Sequence, residues 1–311
     1  MTARLAAAAL AALLALALPA QAANKPTHKP KPTKTTAEIL AAAPAADWRD
    51  VDAANLLVMT LPQGRVLIEL APRFAPAHAD NIRTLARATY FDGLAVLRVQ
   101  DNFVTQWGDP DGEDAARAKP LAPAKAQLPA EFAVPLKGLP LATLPERDGW
   151  ARRNGFVDGF AVAADPARGQ AWLAHCYGVV GAGRGDAVDS STGAELYAVI
   201  GHAPRALDRN ITVVGRELAG MEHLAALPRG GVNMGFYDDA AQRTAIRAVR
   251  LAAELPAAER PQVQVLRTES ATWRAILDAR RHRGGWYVKS PGRVELCGLT
   301  VPMRDAPTKP E

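Results

Sequence analysis

The chain has 311 residues, of which 49 % are apolar and 22 % charged, enough for one large domain with additions or two smaller ones. That composition excludes a fibrous or wholly disordered protein. The formal net charge is +5, but it is concentrated near the start: removing Arg4 leaves +4, Lys25, Lys29, Lys31 and Lys34 account for all of that, and the neutral remainder gives no basis for nucleic-acid binding.

The first 22 residues read as a cleavable signal peptide. Met1 to Arg4 is a short basic start, Leu5 to Leu18 an apolar run, Pro19 a break and Ala20-Gln21-Ala22 a small-x-small cleavage site. The run is shorter than the ~20 residues a bilayer span needs, and no later stretch suffices either. The mature chain is therefore expected outside the cytoplasm, in a bacterial periplasm, with no membrane span. Residues 23–46 are rich in Pro, Lys and Thr and read as a flexible linker of polyproline character, with a short helical or irregular lead-in from 37. Weak attraction of this tail to anionic lipid or cell-wall polymer is the other reading.

Strands are expected at 56–61 and 65–70, joined by a Pro62-Gln63-Gly64 turn. A helix over 77–89 follows Pro76, and short strands are expected at 94–99 and 103–107. Residues 109–175 look long and irregular. Further strands are expected at 176–183, 195–200, 211–216 and 244–252, with a short helix at 220–227. After residue 252 comes a C-terminal extension. It carries a helix over 270–283, capped by Ser270 and apolar at Trp273, Ile276 and Leu277, and a strand over 294–299. Many short strands with few helices point to a closed antiparallel barrel rather than a parallel βαβ sheet.

Two cysteines, Cys176 and Cys297, lie in apolar segments. In an oxidising compartment they are a candidate disulfide, with two separate buried thiols as the alternative. No C-x-x-C and no zinc-ligand spacing is present.

Several segments, taken in order, resemble the cyclophilin family. They are Gly64 to Leu70, Ala75-Pro76 with Asn81-Ile82 and Leu85, Tyr90-Phe91-Asp92-Gly93, and Leu97-Arg98-Val99 followed by Phe103-Val104-Thr105-Gln106-Trp107-Gly108-Asp109. Leu128 to Phe132, Ala182-Gly183-Arg184, Gly193 to Tyr197, Leu207-Asp208 and Thr212 to Gly215 continue the series to about residue 252. The resemblance implies a mainly β fold, a closed eight-stranded antiparallel barrel with two capping helices. The cyclophilin-like domain would span 47–252. A long loop insertion at about 133–175, with Trp150, Phe156, Phe160 and Trp172, and the extension 253–311 would pack on the barrel.

The resemblance further implies peptidyl-prolyl cis–trans isomerisation of proline-containing polypeptides by a monomer. The uncatalysed barrier is ~18–20 kcal/mol. No bond is made or cut, so the reaction needs no metal or cofactor. A guanidinium can donate to the imide nitrogen as the amide twists, and stabilising only that state accelerates the exchange. By resemblance Arg98 is this donor, Phe103 the floor of the proline pocket and Gln106 the residue that orients Arg98 or the substrate carbonyl. Gly183, Glu195, Tyr197 and Leu207 would bind substrate. Glu195 stands where the family has Gln and can clamp Arg98, and Tyr197 stands for Phe, with a hydroxyl that needs a partner. Ala206 stands for a rim Trp, Ile211 and Leu97 for His, and Trp107 for Gly. A non-catalytic binding module or chaperone with the same groove is the competing reading.

Overall fold

The computed structural model describes residues 34–307; the signal-peptide segment and the first part of the Lys-rich linker lie outside them. In chain order, α1 spans Thr36–Ala41 and β1 Trp48–Asp50. Next come β2 (Leu56–Leu61), β3 (Gly64–Leu70), α2 (Pro76–Arg87), β4 (Ala95–Val99) and β5 (Val104–Gly108). Five further strands follow: β6 (Val134–Pro135), β7 (Ala142–Thr143), β8 (Arg153–Val157), β9 (Phe160–Asp165) and β10 (Gln170–Leu173). Then come β11 (Val179–Ala182), β12 (Leu196–Val199), β13 (Val213–Ala219), α3 (Met221–Ala225), β14 (Thr244–Ala245) and β15 (Ala248–Leu251). The chain ends with β16 (Val263–Leu266), α4 (Ala271–Arg281) and β17 (Met303–Asp305). No helix among the described residues is long and apolar enough to cross a membrane.

The strands form three sheets: a curled nine-stranded one, β14-β4-β5-β12-β11-β13-β3-β2-β15, a five-stranded one, β6-β10-β9-β8-β7, and a three-stranded one, β1-β16-β17. The fold is mainly β. Where a closed eight-stranded ring was expected, the sheet is a curled nine-stranded ladder, with the 244–252 strand split in two. Between β14 and β15, the Ile246 N–H donates to Leu94 O at 2.7 Å and the Arg247 N–H to Thr60 O at 2.9 Å, so one short segment reaches both ends of the ladder.

Strand β2 explains the rest of the packing. Its residues alternate between faces. Leu57, Met59 and Leu61 point into the core inside the curl, with Ile82 and Leu85 of α2 and Leu224 of α3. Leu56 and Val58 join a second core outside it. A sheet apolar on both faces needs a cover, and the five-stranded sheet and the C-terminal segment supply it through Phe156, Phe160, Trp172, Trp273, Ile276 and Leu277. Of the four insertion aromatics, Trp150 alone is exposed.

Three expectations are corrected. Residues 134–173 are a five-stranded antiparallel sheet and not a loop. The flexible-linker reading of 23–46 does not extend past Thr36, where the helical lead-in expected from 37 is found. Thr35 and Glu38 form a capping box, and Ile39 and Leu40 pack on the outer core, so this stretch is a docked helix. The strand expected at 294–299 is a one-turn 3-10 helix, Leu296–Gly298; the strands of the extension are β16 and β17. Cys176 and Cys297 are disulfide-bonded, with Cα atoms 4.9 Å apart, linking the segment between β10 and β11 to that turn.

Glu131 holds α2 from a distance of 54 positions. Its carboxylate accepts from the Ala77 and His78 N–H groups at 2.9 and 3.0 Å and faces His78 Nδ1 at 2.7 Å. These are orphan donors of the first helical turn. Burial works against the charge, but these bonds outweigh it and hold the Glu131 carboxyl below its ordinary range.

Candidate active site

Four neighbouring strands of the large sheet build the site. Strand β4 pairs with β5 through a register shift between Val96 and Arg98 that leaves Leu97 without a counterpart on β5 and sets Arg98 opposite Gln106. Such a bulge re-aims a side chain. Gln106 in turn lies opposite Tyr197 of β12, and Tyr197 opposite Gly181 of β11. Residues directly opposite share a face, so Arg98, Gln106 and Tyr197 form one row.

Arg98 is buried, with 7 % exposure. Its guanidinium carbon lies 5.4 Å from the Phe103 ring centre and 5.2 Å from that of Phe236, held between two aromatic faces. Nε donates to Met234 O at 2.6 Å, Nη1 to Gln106 Oε1 at 3.0 Å and Nη2 to Gln100 Oε1. Burial lowers the basicity of Arg98, and the nearby charge of Glu195 opposes that shift. Three of the five guanidinium N–H groups are thus taken by protein, leaving two for a ligand. Phe103 is half-buried and packs beside Val104, Tyr197, Val199 and Ile211.

Gln106 connects Arg98 to Glu195: its carbonyl oxygen accepts from Arg98, and Nε2 donates to Glu195 Oε1. The expected clamp of Glu195 on Arg98 is therefore indirect. Glu195 fixes Gln106 in the orientation that presents its oxygen to Arg98. Burial pushes the Glu195 carboxyl up; the Gln106 bond and the Arg98 charge oppose that, and Glu113 adds to it. Gly183 donates its N–H to Glu195 O at 2.9 Å, and a Cβ there would come within 2.6 Å of Glu195 Oε1. Both residues line a cavity of about 410 Å³ that includes Tyr90, Lys119 and Arg184.

Tyr197 is buried at 4 % exposure, so it backs the Phe103 cluster from beneath. Its hydroxyl finds a partner in His175 Nε2 at 3.0 Å, and the two rings stack. His175 Nδ1 lies 3.0 Å from Asp208 Oδ1. With Nδ1–H donating to that carboxylate, Nε2 accepts from Tyr197. Asp208 also accepts from Trp172 Nε1 at 3.0 Å and Arg205 Nε at 2.7 Å. Burial opposes the Asp208 charge, yet the bonds from His175 and Arg205 outweigh it and hold the carboxyl below its usual value. Burial and the Asp208 charge push the Tyr197 hydroxyl well up. Leu207 stands half-buried in the 3-10 turn Arg205–Leu207, and Ala206 is exposed.

Sequence reasoning placed Arg98, Phe103, Gln106, Glu195 and Tyr197, and the structure brings these together. It missed Gln100, Met234 and Phe236. The last two belong to a loop that lies against β4: the Val99 N–H donates to Gly235 O at 2.8 Å and the Tyr237 N–H to Leu97 O at 3.0 Å. A glycine-rich stretch, Gly230-Gly231 and Gly235, was the one available signal. It also missed His175 as the partner of Tyr197, because a lone His before a Cys carries no spacing signature.

Residues 56–251 match the family described as "Cyclophilin type peptidyl-prolyl cis-trans isomerase/CLD". A Brucella suis protein named a probable peptidyl-prolyl cis-trans isomerase is 37 % identical over 87 residues, 26 % of this chain and 44 % of the relative. A Synechocystis relative named for the thylakoid lumen is 36 % identical over 76 residues, 24 % of this chain and 20 % of its own. The chain thus spans less than half the length of these curated relatives. In fold, it superposes on the crystal structure of cyclophilin AquaCyp293 from Hirschia baltica with a TM-score of 0.69 and 23 % identity, covering 87 % of this chain and 97 % of that one. With its matched region spanning the whole large sheet and the Arg98 row, the chain belongs to the cyclophilin-type peptidyl-prolyl cis-trans isomerase family.

Proposed function

We propose that the protein catalyses cis–trans isomerisation of X–Pro bonds in exported polypeptides. The observation that carries this reading is the state of Arg98: buried, flanked by Phe103 and Phe236, and fixed by three hydrogen bonds that leave two donors over. A donor fixed before the substrate arrives needs no reorganisation when the amide twists. Phe103 offers the pyrrolidine ring an apolar floor. Gln106 and Glu195 position Arg98, while Gly183 and Leu207 border the groove. The Arg98 row works without a cofactor, and the protein acts as a monomer in this reading.

Export is supported by the signal-like segment at 1–22 and by the Cys176–Cys297 bond, which belongs to an oxidising space. The reach of residues 244–251 to both ends of the large sheet supports a barrel that this segment closes to eight strands. The cyclophilin-like domain then runs from 47 to 252, with the five-stranded sheet as its insertion and 253–311 as an extension whose described part, to residue 307, packs on it.

A second reading, a binding module without turnover, is favoured by one contact: one of the two Gln106 amide N–H groups is held by Glu195, which leaves only the other for a substrate carbonyl. A proline-isomerisation assay with wild type and Arg98→Ala separates the two. Acceleration that depends on Arg98 is expected; peptide binding with no acceleration would leave only the module.

A further inference from the structure

Beyond the groove, the insertion carries an open cleft of about 590 Å³ with an unusual lining. Four arginines border it: Arg147 and Arg152 from the segment between β7 and β8, Arg168 from the β9–β10 turn and Arg209 from the segment between β12 and β13. Two acids line it as well, and both are engaged. Asp148 accepts two bonds from the buried Arg205, at 3.1 and 2.7 Å, and Asp165 lies 3.8 Å from Arg168. Arg209 lies over the Trp172 ring at 4.7 Å. Among the described residues no carboxylate pairs with Arg147, Arg152 or Arg209. The lining therefore sums to 4 − 2 = +2 on a chain whose sequence beyond the Lys-rich tail is formally neutral. Trp150, 57 % exposed, stands in the same lining.

A buried hydrogen-bond chain links this cleft to the residues behind the groove. Trp172 lines the cleft and donates to Asp208, which holds His175 and through it Tyr197 behind the Phe103 cluster. Arg209 is two positions from Leu207. Arg209 and Leu207 thus lie on one short segment, so a polypeptide whose proline sits in the groove can extend its flanking residues toward the cleft. We propose that the cleft is a second recognition site for the same polypeptide, taking Asp or Glu side chains near the proline. The inference rests on the isomerase reading and adds a substrate class to it. Guanidiniums bind carboxylates through paired N–H donors, and the exposed indole offers an apolar face to the residues between.

The test compares proline peptides that carry several Glu residues on either side with the same peptides carrying Gln. Activity and binding are measured for wild type and for Arg147→Gln/Arg152→Gln. Wild type should favour the Glu peptides roughly tenfold in kcat/KM at about 50 mM salt, with the preference shrinking at about 500 mM. The double variant, folded by circular dichroism, should lose most of that ratio. A Glu peptide with its proline replaced by Ala should still quench tryptophan fluorescence in wild type and not in the variant. Equal kcat/KM for Glu and Gln peptides overturns the cleft and leaves the isomerase reading intact. Arg147/Arg152-dependent binding of the Glu peptide without any turnover overturns the isomerase reading and leaves the cleft standing. Binding of polygalacturonate at these arginines, with no binding of the Glu peptide, overturns the peptide assignment.

Discussion

Gln106 is the hinge of the site, because it accepts from Arg98 with its oxygen and donates to Glu195 with its nitrogen. Glu195→Gln preserves an acceptor for that nitrogen and removes a charge. It should therefore keep or raise kcat/KM. The Glu195 carboxyl sits above its ordinary value, chiefly because it is buried, so the anion forms only as pH climbs past the usual carboxylate range. In acid, protonated Glu195 and Gln are equivalent in charge. The pH profiles of wild type and Glu195→Gln should converge at low pH and separate as pH rises. Profiles with a constant offset at every pH would contradict this role. The residue string Arg98, Phe103 and Gln106 was readable because the family motif stores it in one short stretch. Met234, Phe236 and His175 were not, since each reaches the site from a loop distant in sequence and packs there only in the folded chain.

Among the elements, β11 shows how a strand is shaped by its neighbour. Gly181 lies opposite Tyr197, and a Cβ at 181 would fall 2.2 Å from the tyrosine hydroxyl. Gly181→Ala should therefore push the ring off His175 and cost about 2–3 kcal/mol, as overpacking of a filled site does. Urea unfolding measures this directly, and an unchanged midpoint would show that the ring moves freely. Gly interrupting a strand was visible in the sequence, but the tyrosine it accommodates belongs to another strand. The five-stranded sheet was invisible for a different reason. Half of Phe160–Asp165 is alanine, which has weak strand preference. Its strands exist because Ala163, Ala164 and Ala171 are buried with Phe156 and Trp172 in the outer core. Strand β2, apolar on both faces, already implied that something had to cover the large sheet.

At the scale of the whole molecule, the C-terminal segment is tied to the large sheet by packing and by the Cys176–Cys297 bond, whose separation in sequence is 121. Closing a loop of that length in the unfolded chain stabilises by up to about 4–5 kcal/mol on the entropic model. Cys297→Ser should lower the unfolding free energy by part of that amount, and a non-reduced peptide map of wild type should contain the cross-link. Two alkylatable thiols in the native protein would contradict it. Cys176 follows His175, so the same bond anchors the support of Tyr197. The molecule as a whole thus holds one guanidinium, buried and flanked by aromatic rings, beside an apolar floor, and the central claim is that this arrangement turns proline bonds. The direct measurement is kcat/KM for cis-to-trans conversion of a short X–Pro peptide by wild type and by Arg98→Ala of matched stability. The account predicts clear acceleration by wild type and a loss on the order of 10²-fold in the variant; equal rates for the two folded proteins would contradict it.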